Sequence, residues 1–122
     1  MTATITIELG FLPPRELWGK AGGRDWPYLK AKKKMKRSGF DHGVFELRDF
    51  YLVPKISLKY FFHHNYVLDL DNMIIAMKPW QDGLVQAEVV IDDNANRVQL
   101  ERPEFVRCKE GESKTVVEVR EI

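Results

Sequence analysis

Residues 55–72 have the sequence KISLKYFFHHNYVLDLDN, and this stretch decides the fold. Its first half carries apolar side chains at every second position, namely Ile56, Leu58, Tyr60 and Phe62. Successive side chains of a strand point to opposite faces of a sheet. The alternation therefore predicts a strand over residues 55–67, which opens after Pro54.

The segment after this strand is predicted to form a helix from Asp71 or Asn72 to about Ala87. Pro79 lies in its interior, where a proline removes a backbone hydrogen bond and clashes with the preceding turn. We therefore expect a kink or two half-helices at this position. The apolar residues 89–91 predict only a short extended stub.

The N-terminal half adds a strand and a helix to this pattern. β-Branched residues alternate over residues 4–9, which is typical of a strand, whereas residues 15–24 lack periodicity and predict a loop. Asp25 is a predicted N-cap for a helix that runs through a lysine-rich segment and ends at Gly39. Residues 44–52 fit either a short helix or a strand.

The C-terminal part predicts two further strands, over residues 97–108 and 114–122, joined by a polar turn at residues 110–113. The element order is then β-α-(short element)-β-α-β-β. This order predicts an α+β fold in which helices pack on one mixed β-sheet. A chain of 122 residues fits one domain, so we expect residues 1–122 to form it.

Composition narrows the class of protein. Hydrophobic residues make up 44% of the chain and charged residues 30%, which is an ordinary balance for a globular domain. No apolar run approaches the roughly 20 residues that a membrane span needs, and the start lacks the features of a secretory signal. A single cysteine, Cys108, excludes an internal disulfide. We therefore expect a cytoplasmic protein without a membrane partner.

Basic residues concentrate in one short segment although the formal net charge is only +1. Between positions 30 and 37, six of eight residues are basic, namely Lys30, Lys32, Lys33, Lys34, Lys36 and Arg37. Like charges at helical spacing repel each other, and a polyanion relieves that repulsion. The segment therefore predicts a nucleic-acid-binding helix flanked by Trp18, Trp26 and Tyr28, which either stack on bases or pack into the core. A simple solvated face is the alternative.

Acidic residues concentrate at the end of the predicted long strand. Asp69 and Asp71 are two positions apart, so in a strand their carboxylates would point the same way. The pair Asp92-Asp93 could add a third carboxylate, because the intervening helix returns the chain towards the sheet. Such oxygen ligands suit Mg²⁺ or Mn²⁺. The alternative is structural, with Asp71 or Asn72 as a helix cap and the acidic pair in a polar turn.

These motifs occur in a characteristic order, Asp69-Leu70-Asp71-Asn72, then Lys78 with Asp82-Gly83-Leu84, then Asp92-Asp93. The set resembles the pattern of the RusA-like Holliday junction resolvases. The opening strand followed by Pro13-Pro14 and the strand that follows Pro54 add to the resemblance. Most of the chain is covered, and the block at residues 69–93 is its specific part.

The resemblance implies a RusA-like fold and a homodimeric, Mg²⁺-dependent endodeoxyribonuclease that cuts four-way DNA junctions in recombination and repair, often of phage or prophage origin. It also implies that Asp69, Asp71 and Asp93 are catalytic metal ligands, with Asp92 as a neighbouring ligand. The family's catalytic lysine would fall at Ile75. We assign the role to Lys78, which keeps the family's Lys-x-x-x-Asp spacing with Asp82.

Three other functions remain open from the sequence. The chain could bind branched DNA selectively without cutting it, or it could be a metal-dependent nuclease of other branched or single-stranded substrates. It could also be a structural protein whose aspartates only cap helices. Cleavage of a synthetic four-way junction in Mg²⁺ would separate the first of these from a resolvase.

Overall fold

The computed structural model describes residues 4–18, 24–92 and 94–122. It shows an α+β fold in which helices pack on a mixed five-stranded sheet, as the sequence predicts. The elements in chain order are strand β1 (Thr4–Leu9), a 3-10 helix (Arg15–Leu17), helix α1 (Trp26–Phe45), strand β2 (Ile56–His64), helices α2 (Leu70–Ala76) and α3 (Lys78–Gln86), and strands β3 (Val98–Leu100), β4 (Glu104–Arg107) and β5 (Lys114–Glu121). No helix in these ranges is long and apolar enough to cross a bilayer.

Strand β2 is the centre of the sheet. It pairs with β5 in antiparallel register, and β5 pairs with β1 in the same sense. On its other side β2 pairs in parallel first with β3 and then with β4. The alternating apolar residues of β2 are 0% exposed, which confirms the predicted buried face. The strand ends at His64, three residues before the predicted end.

Helix α2 and helix α3 together form the crossover between β2 and its parallel neighbour β3, which parallel pairing requires. Met77 joins the two helices in a helical backbone conformation, and Pro79 lies in the first turn of α3. A proline fits there because the first backbone N–H groups of a helix have no partner within the helix. The predicted division at Pro79 into two half-helices is thus confirmed.

Asp25 caps α1 as predicted, and its Oδ1 accepts a hydrogen bond of 3.1 Å from the backbone N–H of Tyr28. The predicted end of this helix at Gly39 is wrong, because α1 continues to Phe45. Gly39 is needed for packing and not for termination. A Cβ at this position would overlap the carbonyl oxygen of Trp80 in α3.

The close approach of α1 and α3 is mutual. A Cβ on Gly83 of α3 would overlap the carbonyl oxygen of Lys36 in α1. One turn further along α1, a Cβ on Gly43 would lie 2.7 Å from the Cβ of Ala87. The two helices therefore cross with their backbones almost in contact, and this crossing fixes where the side chains of α3 lie relative to those of α1.

The single strand predicted over residues 97–108 is also wrong, because β3 and β4 are separate. The Glu101 backbone N–H still donates to the Leu58 carbonyl at 2.9 Å, and the pairing with β2 then stops until Glu104. Pro103 lies in this gap and has no N–H to donate. Proline therefore divides one continuous strand into two short ones.

A buried hydrogen bond ties α3 to the central strand. Gln81 is 4% exposed, and its Nε2 donates to the hydroxyl of Tyr60 at 2.7 Å. Burial raises the pKa of Tyr60 far above its ordinary value, and the hydrogen bond with Gln81 acts in the opposite direction. The hydroxyl is therefore neutral in the folded protein over the whole ordinary pH range.

We expect Gly39→Ala to destabilise the protein by about 2 to 3 kcal/mol, because the added methyl group meets the backbone of α3, which cannot rotate away. Denaturant unfolding measures this loss. Gly10→Ala is the matched control, since a Cβ at Gly10 meets nothing within 4 Å. Equal free energies of unfolding for the two variants would contradict the close helix crossing.

We expect Tyr60→Phe to cost about 1 to 3 kcal/mol near pH 7, because Gln81 loses its buried acceptor. The folded-state pKa of Tyr60 is raised, so its stabilising contribution is complete below the unfolded-state pKa of about 10 and is lost as the pH rises above it. The difference between the wild type and Tyr60→Phe should therefore shrink by up to about 1.4 kcal/mol per pH unit above pH 10.

Unfolding free energies measured from pH 8 to pH 11 provide this test. Tyr51→Phe is the matched control, because Tyr51 is 70% exposed and should show no such change. A constant difference between the wild type and Tyr60→Phe across this range would contradict the role given to the buried hydroxyl.

Candidate nucleic-acid and metal site

Asp69 and Asp71 lie at the start of α2, beyond the end of β2. Asp69 is the N-cap, and its Oδ1 accepts hydrogen bonds from the backbone N–H groups of Asp71 at 3.1 Å and Asn72 at 3.4 Å. The prediction that the two carboxylates point the same way from a strand is therefore wrong. The cap is Asp69 itself and neither Asp71 nor Asn72.

The capping geometry has a chemical consequence. Both carboxylates are exposed, and that of Asp69 is held in one orientation by two backbone donors. Hard divalent cations prefer such carboxylate oxygens. Within residues 4–18, 24–92 and 94–122, no three His, Cys, Asp or Glu side chains come together as a metal-ligand group. Asp93, the predicted third ligand, lies outside the described residues.

Asp92 lies just after a short extended segment. Val90 forms an isolated parallel bridge with Val53, beside the start of β2. The exposed Asp92 side chain then accepts a hydrogen bond at Oδ2 from Asn94 Nδ2 at 3.2 Å. The Asn94 Oδ1 in turn accepts from the Asn96 backbone N–H at 2.9 Å. Asp92 therefore belongs to a polar turn, which is the structural alternative to metal binding that the sequence left open.

Lys78 is the first residue of α3, and its Nζ donates to Asp82 Oδ1 at 2.9 Å. One turn of helix separates the two residues, so the Lys-x-x-x-Asp spacing produces an ion pair. Lys78 also lines a cavity together with Ala95 and Val98, which follow the acidic pair in sequence. The start of α3 and the segment after Asp92 thus lie on the same side of the fold.

A second cavity joins the basic helix to this region. It has a volume of about 370 Å³, and its polar lining includes Lys32 from α1 and Lys78 and Asp82 from α3. Ile75 contributes to its wall from α2, at the position where the family resemblance would place the lysine. The cavity therefore brings one lysine of the basic segment to the same place as the predicted catalytic lysine.

All six basic residues of the segment are exposed on α1. Arg37 Nε donates to Asp41 Oδ1 at 3.0 Å, one turn further along the helix. The inner face of the helix is formed by Tyr28, Ala31 and Met35. The lysine-rich sequence thus leaves an exposed charged surface along α1, which fits both the predicted nucleic-acid-binding helix and the alternative of a solvated face.

Gln81 is a residue that the sequence analysis missed. It lines both cavities around Lys78 and is held by its hydrogen bond to Tyr60. A glutamine between Trp80 and Asp82 carries no motif, so no signal in the sequence marks it. Only the packing of α3 against β2 shows that this amide lies at the inner end of the site.

Comparisons with models of known protein families give no match, and comparisons with curated protein sequences give none either. Among solved structures, the chain is similar to the hydrogenase maturation protein HypE in a crystal structure with ATP. The identity is 10% and the TM-score 0.43, and the match covers 100% of this chain and 30% of the HypE chain. A likeness of this degree indicates nothing about the activity of the present chain.

Proposed function

We propose that the chain is a divalent-metal-dependent endodeoxyribonuclease that resolves four-way DNA junctions in recombination and repair. The observation that carries this proposal is the meeting of Lys32 with Lys78 and Asp82 around one cavity. This arrangement supports a site in which a phosphate bound by Lys32 of α1 also lies within reach of Lys78, the predicted catalytic lysine. The order of motifs that resembles the RusA-like resolvases supports the same activity.

Helix α1 would bind the DNA substrate. Its exposed lysines and arginine would neutralise backbone phosphates, which releases the counterions of DNA and provides most of the binding free energy. These contacts position the DNA without reading its sequence. Lys32 differs from the rest in lining the cavity with Lys78. It would hold the phosphate next to the one that is cut.

The metal that the resemblance implies is Mg²⁺, with Mn²⁺ as a substitute. The donor chemistry fits, because Asp69 and Asp71 present exposed carboxylates and the capping hydrogen bonds fix the first of them. The resemblance implies Asp93 as the third ligand and Asp92 as its neighbour. When bound there, the metal would lower the pKa of a water molecule and stabilise the charge on the oxygens of the phosphate.

Lys78 would donate to the scissile phosphate and neutralise the charge that develops during hydrolysis. Asp82 is a positioning residue, since it pairs with the Nζ of Lys78 at 2.9 Å and restricts where the ammonium group lies. The buried Gln81 beside it anchors α3 to β2. The ammonium group would thus be placed before the DNA arrives, which avoids a cost of reorganisation during the reaction.

A four-way junction has near two-fold symmetry, and its resolution requires two coordinated cuts. A C₂ homodimer presents two equivalent active sites with matching symmetry, so the second copy of the chain is the proposed protein partner. The proposed setting is the cytoplasm of a cell or of a phage-infected host, where recombining DNA is found.

We expect Asp71→Asn to abolish junction cleavage in Mg²⁺ while leaving junction binding in EDTA within about twofold of the wild type. The substitution removes a metal ligand but keeps the shape of the side chain and the capping of α2 by Asp69. Cleavage of a labelled synthetic four-way junction, with a linear duplex as the substrate control, measures the effect. Asp49→Asn is the matched protein control, because Asp49 is an exposed aspartate outside the site.

Full cleavage by Asp71→Asn would contradict the metal site. Absence of cleavage by the wild-type protein, together with tight and selective junction binding, would favour the branched-DNA-binding alternative. Faster cutting of a flap or a single strand than of the junction would favour a nuclease of other branched substrates.

We expect Lys78→Gln to lower the rate of junction cleavage by about a hundredfold or more, because one charged donor to the phosphate is lost. Single-turnover cleavage at saturating protein isolates this rate from binding. Lys55→Gln is the control, since Lys55 precedes β2 and lies outside both cavities around Lys78. Equal single-turnover rates for the wild type and Lys78→Gln would show that another group acts on the phosphate.

A further inference from the structure

The three aromatic residues around the basic segment have different environments. Tyr28 is 3% exposed and packs into the core. Trp18 is half-buried, and its Nε1 donates to the Pro13 carbonyl at 2.8 Å. Trp26, the first residue of α1, is 74% exposed. The sequence left open whether these residues stack on bases or pack into the core. Tyr28 packs into the core, and of the three only Trp26 presents a largely exposed ring.

Trp26 continues a stripe of basic side chains along the outward face of α1. Lys30, Lys33 and Arg37 follow it at intervals of four, seven and eleven residues, which places all four side chains on one side of a helix. This side is opposite the buried face that includes Met35. We call these four residues the outward stripe.

A groove lies along the first two turns of this helix. Its volume is about 430 Å³, and Trp26, Lys30 and Lys34 form one wall. Pro14 and Glu16, from the segment around the 3-10 helix, form the other. The groove thus combines an aromatic face with two ammonium groups and one carboxylate.

This combination suits one class of ligand better than others. Two lysines favour a polyanion, and a duplex offers phosphates but no free base face to an exposed indole ring. Single-stranded nucleic acid offers both, because its unpaired bases stack on aromatic side chains while its phosphates follow a basic groove. An apolar protein partner would cover Trp26 but would also remove the lysines from water without compensation.

We propose that the groove and the outward stripe bind single-stranded nucleic acid, with one unpaired base stacked on Trp26 and the adjoining phosphates on Lys30 and Lys34. The inference deepens the proposed function, since it rests on the assignment of α1 as the nucleic-acid-binding helix. It adds that the recognised substrate contains an unpaired nucleotide, such as one at an opened branch point. Glu16 would accept a hydrogen bond from an N–H group of that base, such as N3–H of thymine.

Tryptophan fluorescence tests this proposal with the 122-residue chain in EDTA, where cleavage cannot interfere. Trp80 is 0% exposed and Trp18 is hydrogen-bonded, so a stacked base should quench mainly the emission of Trp26. The probe is an oligothymidylate of about 12 nucleotides, within the range of known single-strand site sizes. We expect quenching by this oligonucleotide and little quenching by a duplex of equal length.

Three variants identify the contact. Because substitution of Trp26 removes the fluorescent reporter, binding to the variants is measured by the anisotropy of a dye-labelled oligothymidylate. Trp26→Ala should weaken oligothymidylate binding by about tenfold or more, whereas Trp26→Phe should retain most of the affinity because an aromatic face remains. Phe45→Ala is the matched control, since Phe45 ends the same helix, is 65% exposed and should not affect binding. Thermal unfolding confirms that each variant is folded before its affinity is compared.

The outcomes separate this inference from the proposed function. Unchanged oligothymidylate affinity in Trp26→Ala, with junction cleavage intact, would overturn the inference alone. Quenching with the expected variant effects, but no cleavage of any substrate in Mg²⁺, would support the inference and contradict the nuclease. Absence of binding to any nucleic acid would overturn both, and quenching by polyglutamate but not by the oligonucleotide would instead identify an acidic protein as the ligand.

Discussion

The close crossing of α1 and α3 is the constraint on which the rest of the structure depends. Gly39 and Gly83 let each helix approach the backbone of the other, and no residue with a side chain could replace either without moving a helix. This approach places Lys32 of the basic segment beside Lys78 and Asp82. The basic segment and the Lys78–Asp82 ion pair become neighbours because two glycines permit backbone contact.

The junction between α2 and α3 sets a second constraint. Asp69 fixes the beginning of α2 by capping, and Pro79 fixes the beginning of α3 by its place in the first turn. Asp71 lies in the first turn of α2, and Lys78, seven residues later, is the first residue of α3. The cap and the proline that begin these short helices therefore also set where on each helix the residues proposed to act together lie.

The sequence predicts what neighbouring residues determine by themselves. Alternation along β2, the Asp25 cap and the division at Pro79 are local effects, and all three are confirmed. The predicted helix end at Gly39 is wrong because the glycine there serves the approach of the Trp80 carbonyl, about 40 residues away in the chain. Periodicity alone does not show where a strand ends and a capped helix begins, so the sequence does not identify Asp69 as the N-cap of α2.

The division of α1 into two functional sides follows from its packing. The inner face of α1 packs against α3 at Gly39 and Gly83. The basic residues therefore form two groups. One lies on the flank near α3 and includes Lys32, and the other is the outward stripe that begins at Trp26. In the proposed function the flank holds the phosphate close to Lys78, and the stripe holds an unpaired nucleotide. A rigid helix keeps the distance between these two contacts constant. In this proposal the helix would distinguish DNA with an opened strand from a uniform duplex by stacking and phosphate contacts.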